Sequence, residues 1–457
     1  MISYMQGKFE QSIELAADVF SDFKPQKAYL ISHNDADGYS CLALLRILLA
    51  KKGVPAQYLI FNRERSWNEI FKTFVGTPKE KTVIIITDLG GEISEIGRIF
   101  KGRPELVIIL DHHQPLLDGA PLPENTMVCN PVTFGYDGLK EVAGATITYL
   151  FTKKVDLGMI KHAWLATLGI SGDSLIHVNE LGSYNKDVFD EAVSEGQILE
   201  REGACFYGAT HERMKNALAW SILPYIPKIQ SDPEKAVKIL QKINISPEKR
   251  VENLDMAEVG RLVQEFGADV AGAFGIFPNK QGILRYCFEH AILLNILGFN
   301  DQNLAMQAIA NYKPNTIMKQ KFVQYISKLS QNLTTFASLP RIEGPNSVLV
   351  EAFGILPSSE WSDTASFASV NQIFDSRKML FLVGKEEDKI KFSVRCSRDF
   401  ITSHNGDNSN IIIQRIKKDF NCSGGGHSLA GGFKINPNDY DRFKQSIEKY
   451  FQEHPEH

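Results

Sequence analysis

The stretch Tyr29-Leu-Ile-Ser-His-Asn-Asp-Ala-Asp-Gly38 determines the predicted fold. Its apolar first part has the character of a short buried strand. The apolar run ends at His33, and two carboxylates, Asp35 and Asp37, precede a helical pattern over residues 39–52. In open α/β sheets, ligands bind at the loops that leave the carboxyl ends of strands. Alternating carboxylates there indicate divalent cations, and the imidazole favours manganese, although Asp-x-Asp-Gly also occurs in ordinary turns.

Further strand-like runs follow at similar intervals, over residues 56–61, 82–87 and 106–110. Helical or loop-like stretches separate them, and an amphipathic helix is predicted over residues 7–22. Strands and helices that alternate at this interval predict βαβ units and a parallel sheet with right-handed crossovers. The N-terminal region is therefore expected to be an α/β domain.

Carboxylates and imidazoles also follow later apolar runs: Asp88, then Asp111 with His112 and His113, then Asp173. Because parallel strands share one carboxyl edge, these groups are expected to converge on a single patch. Each aspartate would, on the alternative interpretation, simply cap the helix that follows it. Acids packed together repel one another, however, so a cation is their natural partner. The sequence therefore predicts a metal centre.

Composition sets the limits on the function. The chain has 457 residues, 43% of them hydrophobic and 23% charged, with a formal net charge of −4. These values are ordinary for a globular protein of two or three domains, and they argue against a non-specific DNA-coating protein. The six cysteines are far apart and form no metal or disulfide pattern. The start lacks the pattern of a signal peptide and no apolar run has membrane-spanning length, so we expect a cytoplasmic protein without a membrane partner.

The motifs resemble those of a known superfamily. The set His33-x-Asp35-x-Asp37-Gly38, Asp88, Asp111-His112-His113 and Gly172-Asp173 resembles the four motifs of the DHH phosphoesterases. Members of that superfamily use paired manganese or magnesium ions to hydrolyse phosphoesters or phosphoanhydrides. The run Cys422-Ser-Gly-Gly-Gly-His427 resembles the Gly-Gly-Gly-His signature of their partner domain, and residues 130–145 resemble the RecJ-like branch, especially its archaeal nucleases. The resemblance covers residues 25–185 and 345–450.

The resemblance implies a site for two Mn²⁺ or Mg²⁺ ions. Its ligands would be His33 and Asp35 for one ion, Asp37, His112 and Asp173 for the other, and Asp88 between the two. Three residues would take part in catalysis: Asp88, Asp111 and His113. Asp111 is expected to orient His112 by a hydrogen bond, without binding a metal ion itself. His113 would contact the scissile phosphate or donate a proton, unless it is a structural histidine.

Substrate binding is predicted for the C-terminal part of the chain, at Arg395, Arg398, Gly425, Gly426 and His427. Glycines allow backbone amides to approach an anion closely, and an arginine fork can bind two phosphate oxygens. Arg398 is equally compatible with a solvated charge at the end of a strand. Strands are predicted over residues 347–353, 378–384 and 390–396, and helices over 410–419 and 439–453.

Three domains are predicted: residues 1–185 with the parallel sheet and the metal centre, 186–340 as a helical insertion, and 341–457 as a mixed α/β domain that binds substrate. We expect a cleft and hinge motion between the first and last of these. In the insertion, four lysines and two aromatic residues would line a path for nucleic acid. On the favoured alternative, the lysines form a solvated face and the aromatic residues belong to a core stripe. They are Lys313, Lys319, Lys321 and Lys328, with Phe322 and Tyr325.

These features favour a metal-dependent phosphodiesterase that acts as an exonuclease on single-stranded DNA or RNA, in DNA replication or repair or in RNA processing. An alternative is a phosphoesterase for very short oligonucleotides, cyclic dinucleotides or a nucleoside bisphosphate. A third hypothesis is an inactive replication scaffold, but such relatives have lost metal residues, whereas each expected metal position is occupied here. Replication proteins would be partners through the helical insertion.

Overall fold

The computed structural model describes residues 2–61, 65–78, 80–89, 91–115, 122–138, 140–173, 177–298, 300–426 and 428–451, with side chains from residue 9 onward. The chain divides into two compact units. The first comprises Met1–Cys205, Ala209–His211 and Arg250–Phe322. The second comprises Phe206–Gly208, Glu212–Lys249 and Val323–His457.

The strands are β1 (Lys27–Ser32), β2 (Ala56–Ile60), β3 (Thr82–Thr87), β4 (Leu106–Leu110), β5 (Thr126–Cys129), β6 (Leu199–Ala204), β7 (Ala271–Ile276), β8 (Arg341–Glu343), β9 (Ser347–Glu351), β10 (Met379–Glu386), β11 (Lys389–Arg395), β12 (Ser423–Gly426) and β13 (Ala430–Ile435). The α-helices are α1 (Ile2–Phe23), α2 (Ala36–Lys51), α3 (Trp67–Ile70), α4 (Ile93–Phe100), α5 (Gly144–Val155), α6 (Ala163–Gly172), α7 (Ser183–Ser194), α8 (Met214–Ala219), α9 (Pro233–Lys242), α10 (Met256–Phe266), α11 (Cys287–Gly298), α12 (Gln302–Ala310), α13 (Thr316–Ser338), α14 (Trp361–Val370), α15 (Arg398–Ser403), α16 (Ser409–Asp419) and α17 (Tyr440–Ser446).

The first unit contains a five-stranded parallel sheet in the order β2-β1-β3-β4-β5. Strands β3 and β4 are buried along their whole length. Helices cover both faces of such a sheet, which is why its central strands are continuous runs of Val, Ile and Leu rather than alternating patterns. The predicted parallel α/β domain is confirmed. The strand β5 was not predicted, because residues 126–129 form a short run with little periodicity.

Helix α2 is buried on most of its surface and packs against α5, α6 and α11. It begins where the carboxylate of Asp35 accepts a hydrogen bond from the amide of Gly38, at 3.0 Å. The capping role considered for the aspartates is therefore real at Asp35. A cap at this position also fixes the direction of the loop that carries the metal-binding pattern.

The middle of the chain is divided between the two units. Residues 250–322 belong to the first unit, in which α11 packs against α2 and α6. Residues 212–249 belong to the second unit. Helix α7 ends at Ser194, and β6 then pairs with β7 in an antiparallel ladder, which the prediction of a helical region did not include. The region predicted as one helical insertion thus supplies part of each unit.

The second unit contains a six-stranded mixed sheet in the order β12-β13-β11-β10-β9-β8. Strands β9 and β10 are parallel, and the other pairs are antiparallel. Its core is rich in aromatic rings: those of Phe392 and Phe433 stack with centroids 4.4 Å apart. The predicted mixed α/β architecture is confirmed. Among the described helices, none has the length and apolar character needed to cross a membrane.

Candidate metal centre

The predicted metal ligands lie at the carboxyl edge of the parallel sheet. His33 and Asp35 follow β1, Asp88 follows β3, and residues 111–113 follow β4, three strands that are neighbours in the sheet. Asp173 closes the C-terminus of α6. Adjacent parallel strands that end in polar residues bring those side chains together at one edge.

Among the residues that the structure describes, three groups of side chains could each hold a metal ion, with the ligand atoms of each group within 4.8 Å of one another. They are His33, Asp35 and Asp88; Asp37, His112 and Asp173; and Asp88, His112 and His113. Asp88 belongs to two groups, and so does His112. The three groups therefore form one continuous cluster rather than separate sites.

Asp88 lies at the centre of the cluster. The Nε2 atom of His112 is 3.0 Å from Asp88 Oδ1, and the Nδ1 atom of His33 is 3.6 Å from Asp88 Oδ2. Asp88 has a backbone φ of 54°, in the left-handed region that non-glycine residues rarely adopt. Such backbone strain persists where the surrounding structure imposes it, often at functional sites. Here the strained position aims a carboxylate that is only 1% exposed between two imidazoles.

Several buried carboxylate oxygens in the cluster lack a hydrogen-bond partner among the described residues: the Oδ2 atoms of Asp88, Asp111 and Asp173. Burying a charged oxygen without a partner costs several kcal/mol, at order of magnitude, so such atoms need a cation. Oxygen-rich sets with one or two imidazoles suit Mn²⁺ or Mg²⁺. The residues present therefore fit a divalent metal centre.

Asp37 is held by the N-terminus of α5. Its Oδ2 and Oδ1 atoms accept hydrogen bonds from the backbone amides of Gly144 and Ala145, each at 2.8 Å. Burial nevertheless raises the pKa of Asp37 well above its usual range, and the nearby Asp88 and Asp173 add to the rise. Burial also raises the pKa of Asp173, to about 7. Positive charge in the cluster would stabilise both carboxylates in their ionised forms.

Although burial opposes the rise, the carboxylates of the cluster raise the pKa of His33 above its usual value. Burial alone would raise the pKa of Asp88, but the hydrogen-bonded His112 and the nearby His33 hold it well below the usual range. Burial opposes protonation of His112, yet Asp88 and Asp173 raise its pKa well above the usual value. Metal binding requires neutral imidazoles, so a bound ion would replace these protons as the source of positive charge.

Asp111 orients His113, not His112. Its Oδ1 atom is 2.8 Å from His113 Nδ1, and Asp111 is fully buried. The Nδ1 atom of His112 instead contacts the carbonyl oxygen of Gly138. The predicted Asp111–His112 pairing is wrong. The two histidines have different partners: His113 contacts Asp111, and His112 contacts Gly138.

The first metal-binding loop is supported by α11, about 260 residues later in the chain. Asn295 Oδ1 accepts a hydrogen bond from the amide of Ala36 at 2.7 Å, and Gly298 accepts one from the hydroxyl of Tyr39 at 3.0 Å. A Cβ atom at Gly298 would lie 1.9 Å from the carbonyl oxygen of Asn34, so glycine is required there. Sequence reasoning missed these contacts, because nothing local to α11 indicates its partner.

A buried asparagine supports the segment that holds Asp37. Asn185, on α7, accepts hydrogen bonds from the amide of Ala143 at 2.9 Å and the hydroxyl of Thr146 at 2.6 Å. It also donates to the carbonyl oxygen of Lys140 at 3.0 Å. This side chain fixes the chain direction at the start of α5. Its position in an ordinary amphipathic helix carried no sequence signal.

The predicted substrate-binding residues lie in the second unit. Arg395 is 7% exposed, and its guanidinium donates hydrogen bonds to Ser366 Oγ, to both oxygens of Ser362, and to the carbonyl oxygen of Val394. These contacts anchor α14 to β11, so direct phosphate binding by Arg395 conflicts with its environment. Arg398 is the first residue of α15. His427 lies outside the described residues.

The glycines of β12 differ in their surroundings. A Cβ atom at Gly424 or Gly426 would lie 2.2 or 2.4 Å from a carbonyl oxygen of β13, whereas at Gly425 it would meet nothing within 4 Å. Close pairing with β13, where Gly426 faces Gly431, thus explains two of the three glycines. Gly425 has no such structural requirement.

Comparison with known proteins places this architecture among characterised folds. Residues 347–453 match the DHHA1 domain family. An uncharacterised protein of Methanocaldococcus jannaschii is 27% identical over 446 residues, which cover 92% of each chain. The crystal structure of CDC45 from Entamoeba histolytica is similar over 97% of this chain and 99% of that chain, with a TM-score of 0.68 and 10% identity.

RecJ from Thermus thermophilus, in complex with Mn²⁺, is similar over 97% of this chain but 55% of that chain, with a TM-score of 0.53 and 15% identity. This chain thus spans about half the length of that RecJ. The DHHA1 match lies on the second unit's sheet, and the parallel sheet with its acidic edge lies in the first. The chain therefore has the fold of RecJ and CDC45, and its C-terminal part matches the DHHA1 domain family.

Proposed function

We propose that the protein is a metal-dependent phosphodiesterase that degrades single-stranded DNA or RNA as an exonuclease, in DNA replication or repair or in RNA processing. The observation that carries the proposal is the continuous cluster in which Asp88 and His112 each belong to two ligand groups. Adjacent metal sites that share a carboxylate are the arrangement that two-metal phosphoryl chemistry requires. The RecJ-like fold supports the same class of reaction.

Two Mn²⁺ or Mg²⁺ ions are the proposed cofactors. His33 and Asp35 would hold one, Asp37, His112 and Asp173 the other, with Asp88 between them. Bound divalent ions make water a stronger nucleophile at neutral pH and neutralise negative charge on phosphate oxygens. The chain itself keeps these ligands in place: α5 amides hold Asp37, and the Gly138 carbonyl holds the ring of His112.

His113 is the proposed proton donor or phosphate contact. Asp111 fixes its Nδ1 atom at 2.8 Å, and the side chain keeps 21% exposure. With Nδ1 bound to a carboxylate, Nε2 is the nitrogen that we propose holds the proton needed by the leaving oxygen. An aspartate bonded to one ring nitrogen in this way fixes the orientation of the imidazole.

Binding of the substrate's phosphates is proposed for the β12–β13 hairpin, through the amides of Gly425 and Gly426, with His427 and Arg398. Open backbone at Gly425 supports the proposal, because amides that no Cβ atom shields can approach an anion. We give Arg395 a positioning role instead. Its hydrogen bond to the carbonyl oxygen of Gly431, at 3.3 Å, supports the strand that pairs with the glycines.

The test is a Mn²⁺-supported digestion of single-stranded DNA and RNA, as dinucleotides and as strands of about twenty nucleotides, labelled in turn at either end. Progressive shortening of the long strand from one end is expected. Cleavage of the dinucleotide alone would replace the exonuclease with a phosphoesterase for very short oligonucleotides. No cleavage by a protein that binds Mn²⁺ would indicate a scaffold.

Matched variants show whether the metal centre is responsible for hydrolysis. Asp88→Asn is expected to abolish hydrolysis, because it removes a charged ligand shared by two groups. Asp18→Asn changes an exposed aspartate on α1 of the same unit and is expected to leave the rate unchanged. If Asp88→Asn kept most of the activity, the shared-ligand arrangement would not be the catalytic centre.

A further inference from the structure

A polar cavity lies in the first unit, away from the metal centre. It has a volume of about 370 Å³ and is open to solvent. Its lining includes Arg250, Arg285, Lys280, His211 and Glu252. Basic side chains from three separate stretches of chain surround Glu252, and Glu289 lies 3.3 Å from His211 Nδ1. With Arg250, Lys280 and Arg285 against these two carboxylates, the cavity keeps an excess of positive charge.

The two arginines are held in place by the carboxylate between them. Arg250 Nε donates to Glu252 Oε1 at 3.0 Å, and Arg285 Nη1 donates to Glu252 Oε2 at 2.8 Å. Each contact uses one nitrogen, whereas a guanidinium carries five N–H donors. Two oriented guanidinium groups with donors to spare suit a tetrahedral oxyanion, which accepts several hydrogen bonds at once.

A buried cation lies at the same cavity. Lys280 is 9% exposed, and its ammonium donates to the carbonyl oxygens of Ile309 and Asn311, each at 2.8 Å. The ammonium also lies 5.0 Å from the centre of the Trp164 ring. None of these contacts is a carboxylate, so they do not neutralise the charge of Lys280. This charge therefore adds to the positive electrostatic potential at the cavity.

The cavity is separate from the metal centre. Trp164 lies near the N-terminus of α6, whereas Asp173 closes its C-terminus. At 1.5 Å per residue, about 13 Å of helix separate these two residues. A ligand phosphate at the cavity would therefore not be the phosphate at the metal centre.

We propose that this cavity binds a phosphate group, either of a free phosphate compound such as a nucleoside monophosphate or of a bound single strand. The inference goes beyond hydrolysis and does not depend on it. The cavity volume falls within the range of small-ligand sites, about 300–1,000 Å³. Its function would be to retain or sense phosphate-bearing ligands at a distance from the reactive cluster.

The test measures binding without metal, so that it stays separate from catalysis. Full-length protein in chelator is titrated by calorimetry with inorganic phosphate, a nucleoside 5′-monophosphate and a single-stranded oligonucleotide of about six nucleotides. Arg250→Gln and Arg285→Gln are compared with the parent, alone and combined. Arg201→Gln, an exposed arginine on β6 of the same unit, is the matched control.

Each single variant is expected to weaken binding about tenfold, the loss that accompanies one charged hydrogen bond, while Arg201→Gln leaves affinity unchanged. Weaker binding of phosphate and the monophosphate would identify a free phosphate ligand. Weaker binding of the oligonucleotide alone would identify strand phosphates. No binding by the folded parent, or unchanged affinity for all three ligands in the double variant, would overturn the proposal.

Discussion

Asp37 accepts a hydrogen bond from the amide of Gly144, at 2.8 Å, across 107 residues of chain. A Cβ atom at residue 144 would lie 2.8 Å from Asp37 Oδ2 and 3.2 Å from Asp88 Cβ. The close approach of α5 to two metal-ligand candidates therefore requires glycine. A substitution there acts on the cluster without removing any ligand.

Gly144→Ala is expected to lower Mn²⁺ affinity about 10- to 100-fold, the usual effect of disturbing groups that orient metal ligands. Calorimetric titration with Mn²⁺ measures this effect, and thermal unfolding checks the fold. Gly260→Ala is the control, since a Cβ atom on that α10 glycine meets nothing within 4 Å. Equal affinities in the two variants would contradict the role of α5.

Asn185→Ala is expected to lower the free energy of unfolding by about 2–4 kcal/mol. The substitution leaves the amide of Ala143, the hydroxyl of Thr146 and the carbonyl of Lys140 without their partner. Denaturant unfolding measures the loss. We also expect weaker Mn²⁺ binding, because the start of α5 is no longer fixed. A destabilised variant with unchanged Mn²⁺ affinity would show that Asn185 serves the fold alone.

Gly425→Ala and Gly426→Ala distinguish the two roles of the glycines in β12, which are phosphate binding and close pairing with β13. Alanine at Gly426 collides with β13 and is expected to destabilise the second unit, whereas alanine at Gly425 is accommodated. If the Gly425 amide binds phosphate, Gly425→Ala raises the Michaelis constant for oligonucleotides without changing the melting temperature. Kinetics that match the parent would remove Gly425 from the proposed clamp.

Arg395→Met is expected to lower the free energy of unfolding by about 1–3 kcal/mol, since the hydroxyls and carbonyls to which it donates would be left buried without their donor. Burial lowers the pKa of Arg395 to about 10, so the guanidinium is still charged at neutral pH. Chemical denaturation of the variant measures the effect. A stable variant with a raised Michaelis constant would restore the predicted contact with substrate.

Lys280 is expected to titrate in an unusual range. Burial lowers its pKa from 10.5 to about 8, so between these values the folded protein binds fewer protons than the unfolded chain. Stability contributed by this group therefore rises with pH across that range, with a slope approaching about 1.4 kcal/mol per unit. The difference in unfolding free energy between the parent and Lys280→Met measures it. A difference that does not change with pH would show that the carbonyl contacts keep Lys280 charged.

The acidic edge of the sheet was predictable because the relevant information is local. An apolar run followed by Asp88 or by Asp111 indicates a strand and its carboxyl end, and parallel strands then bring those ends together. The contacts that orient these side chains are not local. Whether Asp111 turns to His112 or His113 depends on ring orientations set by Gly138, and no periodicity in the sequence records them.

For the middle of the chain, the sequence does not indicate which parts pack together. Helical periodicity predicted a helical region over residues 186–340, but it does not say which compact unit each helix joins. Phe322 is fully buried, as the favoured core stripe predicts, whereas Tyr325 is only half-buried and donates a hydrogen bond to Asp363 at 2.9 Å. The basic cavity was missed because Arg250, Lys280 and Arg285 are unremarkable in sequence and meet only through folding.

The support of the first metal-binding loop by Asn295 and Gly298 has a consequence for synthesis on the ribosome. The loop over residues 33–37 leaves the ribosome well before its supporting helix, which is translated about 260 residues later. At about 5–20 residues per second, some tens of seconds separate the two events. The nascent protein thus completes the support of this loop only after α11 has been made, and a chain released before residue 295 lacks both contacts.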